Sequence, residues 1–274
     1  MTGCPAEFQS KDYLMFDLGQ LKGRVLRKSD EESVVVAYGD VVFRKGDQSS
    51  VANPAFLTDT VIELWFELLE DSTTRELGRL SQGALSFHFL RPSISFLISH
   101  ITDPVYLEQA LPDISHQTVV FIPVNDNIAT ESAGGSHWSL LVYYRPLSTF
   151  FCFDSYHGLN KAPASNTAKK LASVIHAGTS PKFHVIANAP QQSNGYDCGV
   201  YVLGVVEILT ERLMRHAKVS SQPDAADMTL EEKENPKSIA FWALSEVDFS
   251  AGTASSKRQE ILQTVTDLAA LSPS

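Results

Sequence analysis

A cysteine stands at the head of an unbroken apolar run, Cys198-Gly199-Val200-Tyr201-Val202-Leu203, and Gln192 lies six positions before it. The run has no proline and turns charged at Thr210-Glu211-Arg212, the pattern of a helix that begins buried and becomes amphipathic toward its C-terminus. A thiol in the first turn of a helix lies near the positive end of the macrodipole, which favours the reactive thiolate. A glutamine amide beside that sulfur can donate a hydrogen bond to a developing oxyanion. Taken alone, Cys198 has a competing explanation, since a single helical cysteine is more often a small core hydrophobe. Two residues upstream change that balance. His137 follows the pair Gly134-Gly135 and opens the strand-like run Trp138-Ser139-Leu140-Leu141-Val142-Tyr143-Tyr144. A second run, Thr149-Phe150-Phe151-Cys152-Phe153, ends at Asp154, and Arg145-Pro146-Leu147-Ser148 can turn the chain between the two. Antiparallel pairing would bring the start of the first run to the end of the second, making His137 and Asp154 neighbours. A carboxylate there fixes the imidazole tautomer and stabilises the imidazolium, and Cys198 supplies the nucleophile.

These residues need a frame to hold them. Residues 34–43 read as a strand or an ordered arm, and 59–71 as an amphipathic helix capped by Thr58 or Asp59. Pro92 and Pro104 each suit the first turn of a helix, over 93–100 and 105–111. Strands are expected at 117–124, 137–144, 149–154 and 183–186, with a helix over 167–176 between the last two and a final amphipathic helix over 256–271. That is an α+β fold, a central antiparallel-rich sheet flanked by helices, with the nucleophile at a helix N-terminus. The domain is expected to span 34–274, behind a flexible lead over 1–33. A polar stretch near 217–238, carrying proline and acidic residues, reads as a disordered insertion. The loop 125–135 has little to bury, and it reads either as a plain connector or as a flap that touches substrate.

The order His137, Asp154, Cys198, with Gln192 shortly before the cysteine, resembles that of the ubiquitin-like-protein processing cysteine proteases. Papain-type enzymes place the nucleophile first. The matching stretches are 118–127, 134–142 and 189–202, and Asn53-Pro54-Ala55-Phe56-Leu57-Thr58-Asp59 is similar to the family's motif at the start of the domain. Within the family the chain most resembles the deneddylating branch. SUMO-directed members join the strand to the His-Trp pair by a shorter connection, whereas here a long loop ends Ala133-Gly134-Gly135-Ser136-His137-Trp138. The resemblance implies an isopeptidase and endopeptidase that cuts after the C-terminal Gly-Gly of a ubiquitin-like modifier, the neddylation modifier, maturing its precursor and removing it from target lysines. In that scheme Cys198 attacks, His137 protonates the departing amine, Asp154 orients the ring, and Gln192 with the Cys198 backbone N–H holds the oxyanion. Trp138 would cover a tunnel that admits only glycine, and Asp59 would meet a basic residue of the modifier's tail. Phe56, Asn125, Asp126, Asn127 and Gly135 join them as expected substrate contacts. The resemblance further implies a monomer that needs no metal or cofactor and acts on conjugates such as cullins in the cytoplasm and nucleus. Two positions depart from the family motif Trp-Leu-Asn-Asp: Phe56 keeps the aromatic packing, whereas Thr58 lacks the carboxamide.

Composition is consistent with this reading. A chain of 274 residues, 43% of them hydrophobic, can bury a sizeable core and most simply forms one domain with appendages. The N-terminus carries no basic region followed by an apolar core, and the most apolar long window, 84–101, is broken by His88, Arg91, Pro92 and His100. Neither a signal peptide nor a membrane span is therefore expected. Three scattered cysteines argue for a reducing compartment rather than a disulfide framework. A formal charge of −10 disfavours nucleic acid as a partner and suits a basic protein surface. His88, His100, His116, His157, His176, His184 and His216 have no metal-ligand spacing with the cysteines, and Cys152 reads as core packing. Asp126 reads more readily as a turn residue than as the triad acid, and Asp197 as a structural residue capping the helix. Three other functions stay open. One is a SUMO protease. A second is an acyltransferase on the same core, which should need a basic cofactor site. The third is a non-catalytic binding module, which the intact set Cys198, His137, Asp154 and Gln192 disfavours.

Overall fold

In the computed structural model the described residues are 25–26, 34–79, 85–127, 134–175, 180–220 and 235–271. The expectations for the rest of the lead over 1–33, for the middle of the 125–135 loop and for residues 221–234 of the insertion lie outside them. Where one strand or arm was expected, Val34–Tyr38 (β2) and Val41–Arg44 (β3) form a hairpin. Gly39 makes the turn between them at φ +55°, a conformation that costs glycine least. Val25–Leu26 (β1) pairs with β2, Val25 opposite Tyr38, so the segment read as a flexible lead contributes an edge strand at this point. Lys45–Ala52 (α1) follows directly. Its weak apolar pattern hid it, and Asp47 holds it by accepting from the Arg44 N–H and the Thr58 hydroxyl. Asp59–Leu77 (α2) runs past the expected end at 71, because the Thr73 hydroxyl bonds back to the Leu69 carbonyl within the helix instead of breaking it.

The central sheet has the order β4 (Phe87–Phe89), β5 (Val119–Asn125), β6 (Trp138–Tyr144), β7 (Thr149–Phe153), β8 (Lys182–Val185). Its centre is antiparallel as expected, but both outer pairs, β4 with β5 and β7 with β8, are parallel. Parallel pairing needs a crossover. Pro92–His100 (α3) and Pro104–Ala110 (α4) supply one, and Lys161–Val174 (α5) supplies the other. The start of α5 lies ahead of the expected 167, with Pro163 inside the first turn, where backbone N–H groups have no helical acceptor.

Both faces of the sheet are covered, which is why its strands read as continuous apolar runs rather than alternating ones. Val119, Phe121, Leu140, Val142 and Phe151 share a core with α2, with Cys198–Ser220 (α6) and with Ala251–Leu271 (α7). Val120, Ile122, Leu141, Tyr143 and Phe150 face α3, α4 and α5. Cys152 packs in this second core, where burial pushes its thiol up to about 12 and leaves it inert. The borders of the insertion read as disordered are built: α6 runs through Ser220, and Ile239–Trp242 forms a 3-10 turn. Fully buried Trp242 anchors that turn, stacked on Phe151 at 4.5 Å and donating its indole N–H to the Pro236 carbonyl at 2.9 Å. Gly204 lets Phe249 lie on α6, since a Cβ there would meet the ring at 2.1 Å. Among the described residues no helix is long and apolar enough to cross a membrane.

Candidate active site

Leu140 pairs with Phe153, so the residue ahead of β6 and the residue after β7 share one end of the sheet. There His137 Nε2 lies 2.7 Å from Asp154 Oδ1, both side chains almost wholly buried. Nδ1 is left as the nitrogen that can meet sulfur, and Cys198 is close enough to the ring to help raise its pKa. Cys198 is the first residue of α6 and is fully buried against the same sheet end. The structure thus places the three groups named from the sequence at one end of the sheet. The Asp154 carboxylate is held from two further directions, since Oδ1 accepts the Tyr156 N–H at 2.9 Å and Oδ2 the Asn160 N–H at 2.7 Å.

Gln192 is also buried beside these residues. Its Nε2 donates to the Asn194 carbonyl at 2.7 Å, and its Oε1 accepts from the Ser155 hydroxyl at 2.7 Å. A carbonyl can only accept, so Asn194 decides which end of the amide points where. One Nε2 hydrogen is spent in this way, and the other has no acceptor among the described residues. Asp197 does not cap α6 with its side chain. Its Oδ2 accepts from Asn194 Nδ2 at 2.6 Å and its Oδ1 from Arg258 Nε at 2.7 Å, while its backbone carbonyl accepts the Tyr201 N–H.

Burial would by itself favour a neutral His137 ring. Hydrogen bonds to Asp154 and Cys198, with the charges on both, outweigh it and raise the ring from 6.5 to about 9. The ring is therefore an imidazolium at neutral pH, ready to donate a proton. Because the folded value lies above the unfolded one, this protonation stabilises the fold fully below about pH 6.5, and that contribution is lost as pH rises through about 9. We expect kcat/KM for an amide substrate to fall with loss of one proton near pH 9. A pH–rate profile level up to about pH 10 would remove His137 as the proton donor.

Several expected substrate contacts meet in one place. Asp59, Asn125, Asn127 and Trp138 line a groove of about 800 Å³ together with Gly134, Thr58, Pro92 and Phe96. Burial raises the Asp59 carboxyl above its usual range, so that its charged form is disfavoured until a cation pairs with it. Asp126, Gly135 and Phe56 do not line it. Asp126 closes the neck of the loop instead, accepting from the Ser136 N–H and hydroxyl at 2.6 and 2.7 Å and from the His137 N–H at 3.1 Å. Gly135 sits at φ +97°, where a Cβ would fall 1.8 Å from Asn125 Oδ1, so its glycine is needed for packing within the neck. Phe56 does not keep an aromatic packing role. It is 46% exposed because its neighbour Leu57 turns inward, at 2%. The Thr58 hydroxyl goes to Asp47 at 2.6 Å and does not cap α2. Among the described residues no group of three His, Cys, Asp or Glu side chains is placed to hold a metal.

Sequence reasoning missed Asn160. It is fully buried, and its Nδ2 donates to the carbonyls of Val124 at 3.1 Å and His137 at 3.0 Å, while its N–H holds Asp154. It thereby ties the end of β5 to both the His137 backbone and the Asp154 carboxylate. An asparagine ahead of a helix suggests only a cap, and here the side chain caps nothing.

Residues 55–237 match the Ulp1 protease family, C-terminal catalytic domain. NEDD8-specific protease 1 of Arabidopsis thaliana is 35% identical over 186 residues, covering 67% of this chain and 78% of that protein. Sentrin-specific protease 8 of Homo sapiens is 32% identical over 186 residues, covering 67% and 84%. Two solved structures share the fold. The crystal structure of the de-sumoylating protease has a TM-score of 0.57 at 15% identity, over 84% of this chain and 87% of that one. The C-terminal Ulp1 protease domain in complex with Smt3, the yeast ortholog of SUMO, has a TM-score of 0.51 at 19% identity, over 88% and 90%. The matched stretch 55–237 holds the imidazole, the carboxylate and the thiol, and the chain belongs to the Ulp1 protease family of cysteine peptidases.

Proposed function

We propose that the chain is a deneddylase, which hydrolyses the bond after the C-terminal Gly-Gly of the neddylation modifier in its precursor and in conjugates such as those of cullins. The observation that carries this reading is the His137 ring bonded to Asp154, with Cys198 at the head of α6 close enough to help raise the ring's pKa. The Cys198 thiolate attacks the glycyl carbonyl, and the His137 imidazolium then protonates the departing amine. Water, deprotonated by the neutral ring, releases the acyl group. The oxyanion lies between the free hydrogen of Gln192 Nε2 and the Cys198 N–H, which as a first-turn N–H has no helical acceptor. Each such donor stabilises the transition state by roughly 3 kcal/mol. The modifier's tail runs along the groove to Trp138, where a basic tail residue meets Asp59. The names of the relatives favour NEDD8 over other modifiers. Acyl transfer from a polyanionic cofactor is disfavoured, since among the described residues the groove carries the carboxylates of Asp47 and Asp59 and no lysine or arginine. The enzyme acts as a monomer, in the cytoplasm and nucleus.

Modifiers bearing a C-terminal electrophile test this directly. We expect the NEDD8 probe to label Cys198 at least about 100-fold faster than the SUMO or ubiquitin probe, the scale of discrimination that pocket contacts supply. Equal labelling by the SUMO probe, or labelling at a residue other than Cys198, would overturn the assignment.

A further inference from the structure

The turn that carries the nucleophile is anchored from beyond the stretch that matches the family domain, which ends at 237. Arg258 on α7 donates from Nε to Asp197 Oδ1 at 2.7 Å, and its side chain is 12% exposed. Its Nη1 donates to the carbonyls of Ser50, Val51 and Asn53 at 2.8, 3.1 and 3.2 Å. Its Nη2 donates to the carbonyls of Ala55 at 2.8 Å and Tyr196 at 3.4 Å. The guanidinium also lies 5.4 Å from the centre of the Tyr196 ring. All three nitrogens of the fork are thus committed, and they brace the end of α1 against the residues just before Cys198. A lysine, with one rotating ammonium, cannot reproduce that set of directions.

From Arg258 a relay runs inward. Asp197 Oδ2 accepts from Asn194 Nδ2 at 2.6 Å, and Asn194 Oδ1 accepts the N–H groups of Tyr196 and Asp197, both at 3.0 Å. The Asn194 carbonyl then takes the Gln192 Nε2 hydrogen at 2.7 Å. The peptide joining Asp197 to Cys198 carries one oxyanion donor, and Gln192 is the other.

We propose that Arg258 is a positioning residue for the oxyanion site. Through Asp197 and Asn194 it sets the turn 194–198, so that the Cys198 N–H and the Gln192 amide converge on one point. The inference rests on the reading that these two groups hold the oxyanion. It assigns to the C-terminal helix a part in transition-state binding, separate from generation of the thiolate, which belongs to His137.

The test compares two reactions of Cys198 in the full chain. Amide hydrolysis of a modifier C-terminal derivative passes through an oxyanion. Alkylation by iodoacetamide displaces iodide at a saturated carbon and does not. In R258M, assayed well below its own unfolding midpoint, we expect kcat to fall about 100-fold with KM within about threefold, the signature of an interaction made only in the transition state. The iodoacetamide rate should stay within about threefold, because the His137–Cys198 pair is untouched. Ethylguanidinium at millimolar concentration should partly restore kcat to Arg258→Ala, and ethylammonium should not. D197N keeps the shape but sets an amide NH2 against either Asn194 Nδ2 or Arg258 Nε, so the relay breaks in either orientation and the variant should show the same split. It carries the test alone if the Arg258 variants fail to fold. An unchanged kcat in folded variants, or alkylation falling in step with hydrolysis, would overturn the proposal. The parent enzyme is assayed first on NEDD8, SUMO and ubiquitin derivatives, and the variants on whichever it hydrolyses. Failure on NEDD8 alone therefore speaks against the functional reading and not against Arg258.

Discussion

Cys198→Ala will bind a modifier conjugate and leave it uncut. Loss of the nucleophile in a protease triad lowers kcat by roughly 10⁶-fold, because the acyl-enzyme has no atom on which to form. Binding should survive for a structural reason. Asp59, Asn125, Asn127 and Trp138 line the groove from α2, from the end of β5 and loop beyond it, and from the start of β6, and none of them depends on the sulfur. Cys198 is fully buried, so its replacement leaves a void of about one sulfur atom and costs on the order of 1 kcal/mol. Titration of the variant with an uncleaved conjugate should give a Kd near the parent's KM. Turnover above about one part in 10⁴ of the parent rate would take the nucleophile's role away from Cys198.

Asp154→Asn should lower kcat by about 10³- to 10⁴-fold, the scale reported by a triad acid replaced by its amide. The carboxylate accepts from three N–H groups, the His137 ring and the backbones of Tyr156 and Asn160. An asparagine has one acceptor oxygen and one NH2. If its oxygen faces His137 and Tyr156, its NH2 opposes the Asn160 N–H; if it is flipped, it opposes the other two. Either the turn 154–160 gives way or the imidazole takes the wrong tautomer. The variant also loses the charge that helps raise the ring to about 9, so the upper limb of the pH–rate profile should move to lower pH. That movement separates loss of the orienting charge from a general loss of fold, which would lower the rate at every pH alike. An unmoved limb would show that Asp154 does not set the ring's protonation.

What lay in the sequence was local. The two apolar runs around Arg145-Pro146 specify a hairpin, and a hairpin by itself makes His137 and Asp154 neighbours. The run after Cys198 specifies a buried helix, and with it the place of the thiol. Apolar spacing could not show that both outer strand pairs are parallel, because a strand buried on both faces looks the same whichever way its neighbour runs. Nor could it show the short helix α1, which is held by Asp47 and not by an apolar stripe. The residues that support the catalytic groups were hidden for a different reason. Asn160 bonds to a carbonyl 36 positions away and Arg258 to carbonyls more than 200 positions away, and neither spacing leaves a periodic mark on the chain. The sequence determined the chemistry of this protein, its imidazole, carboxylate, thiol and amide, because each is placed by its own strand or helix. The tertiary structure decided how those groups are aimed, because aim depends on hydrogen bonds that exist only once distant segments are packed together.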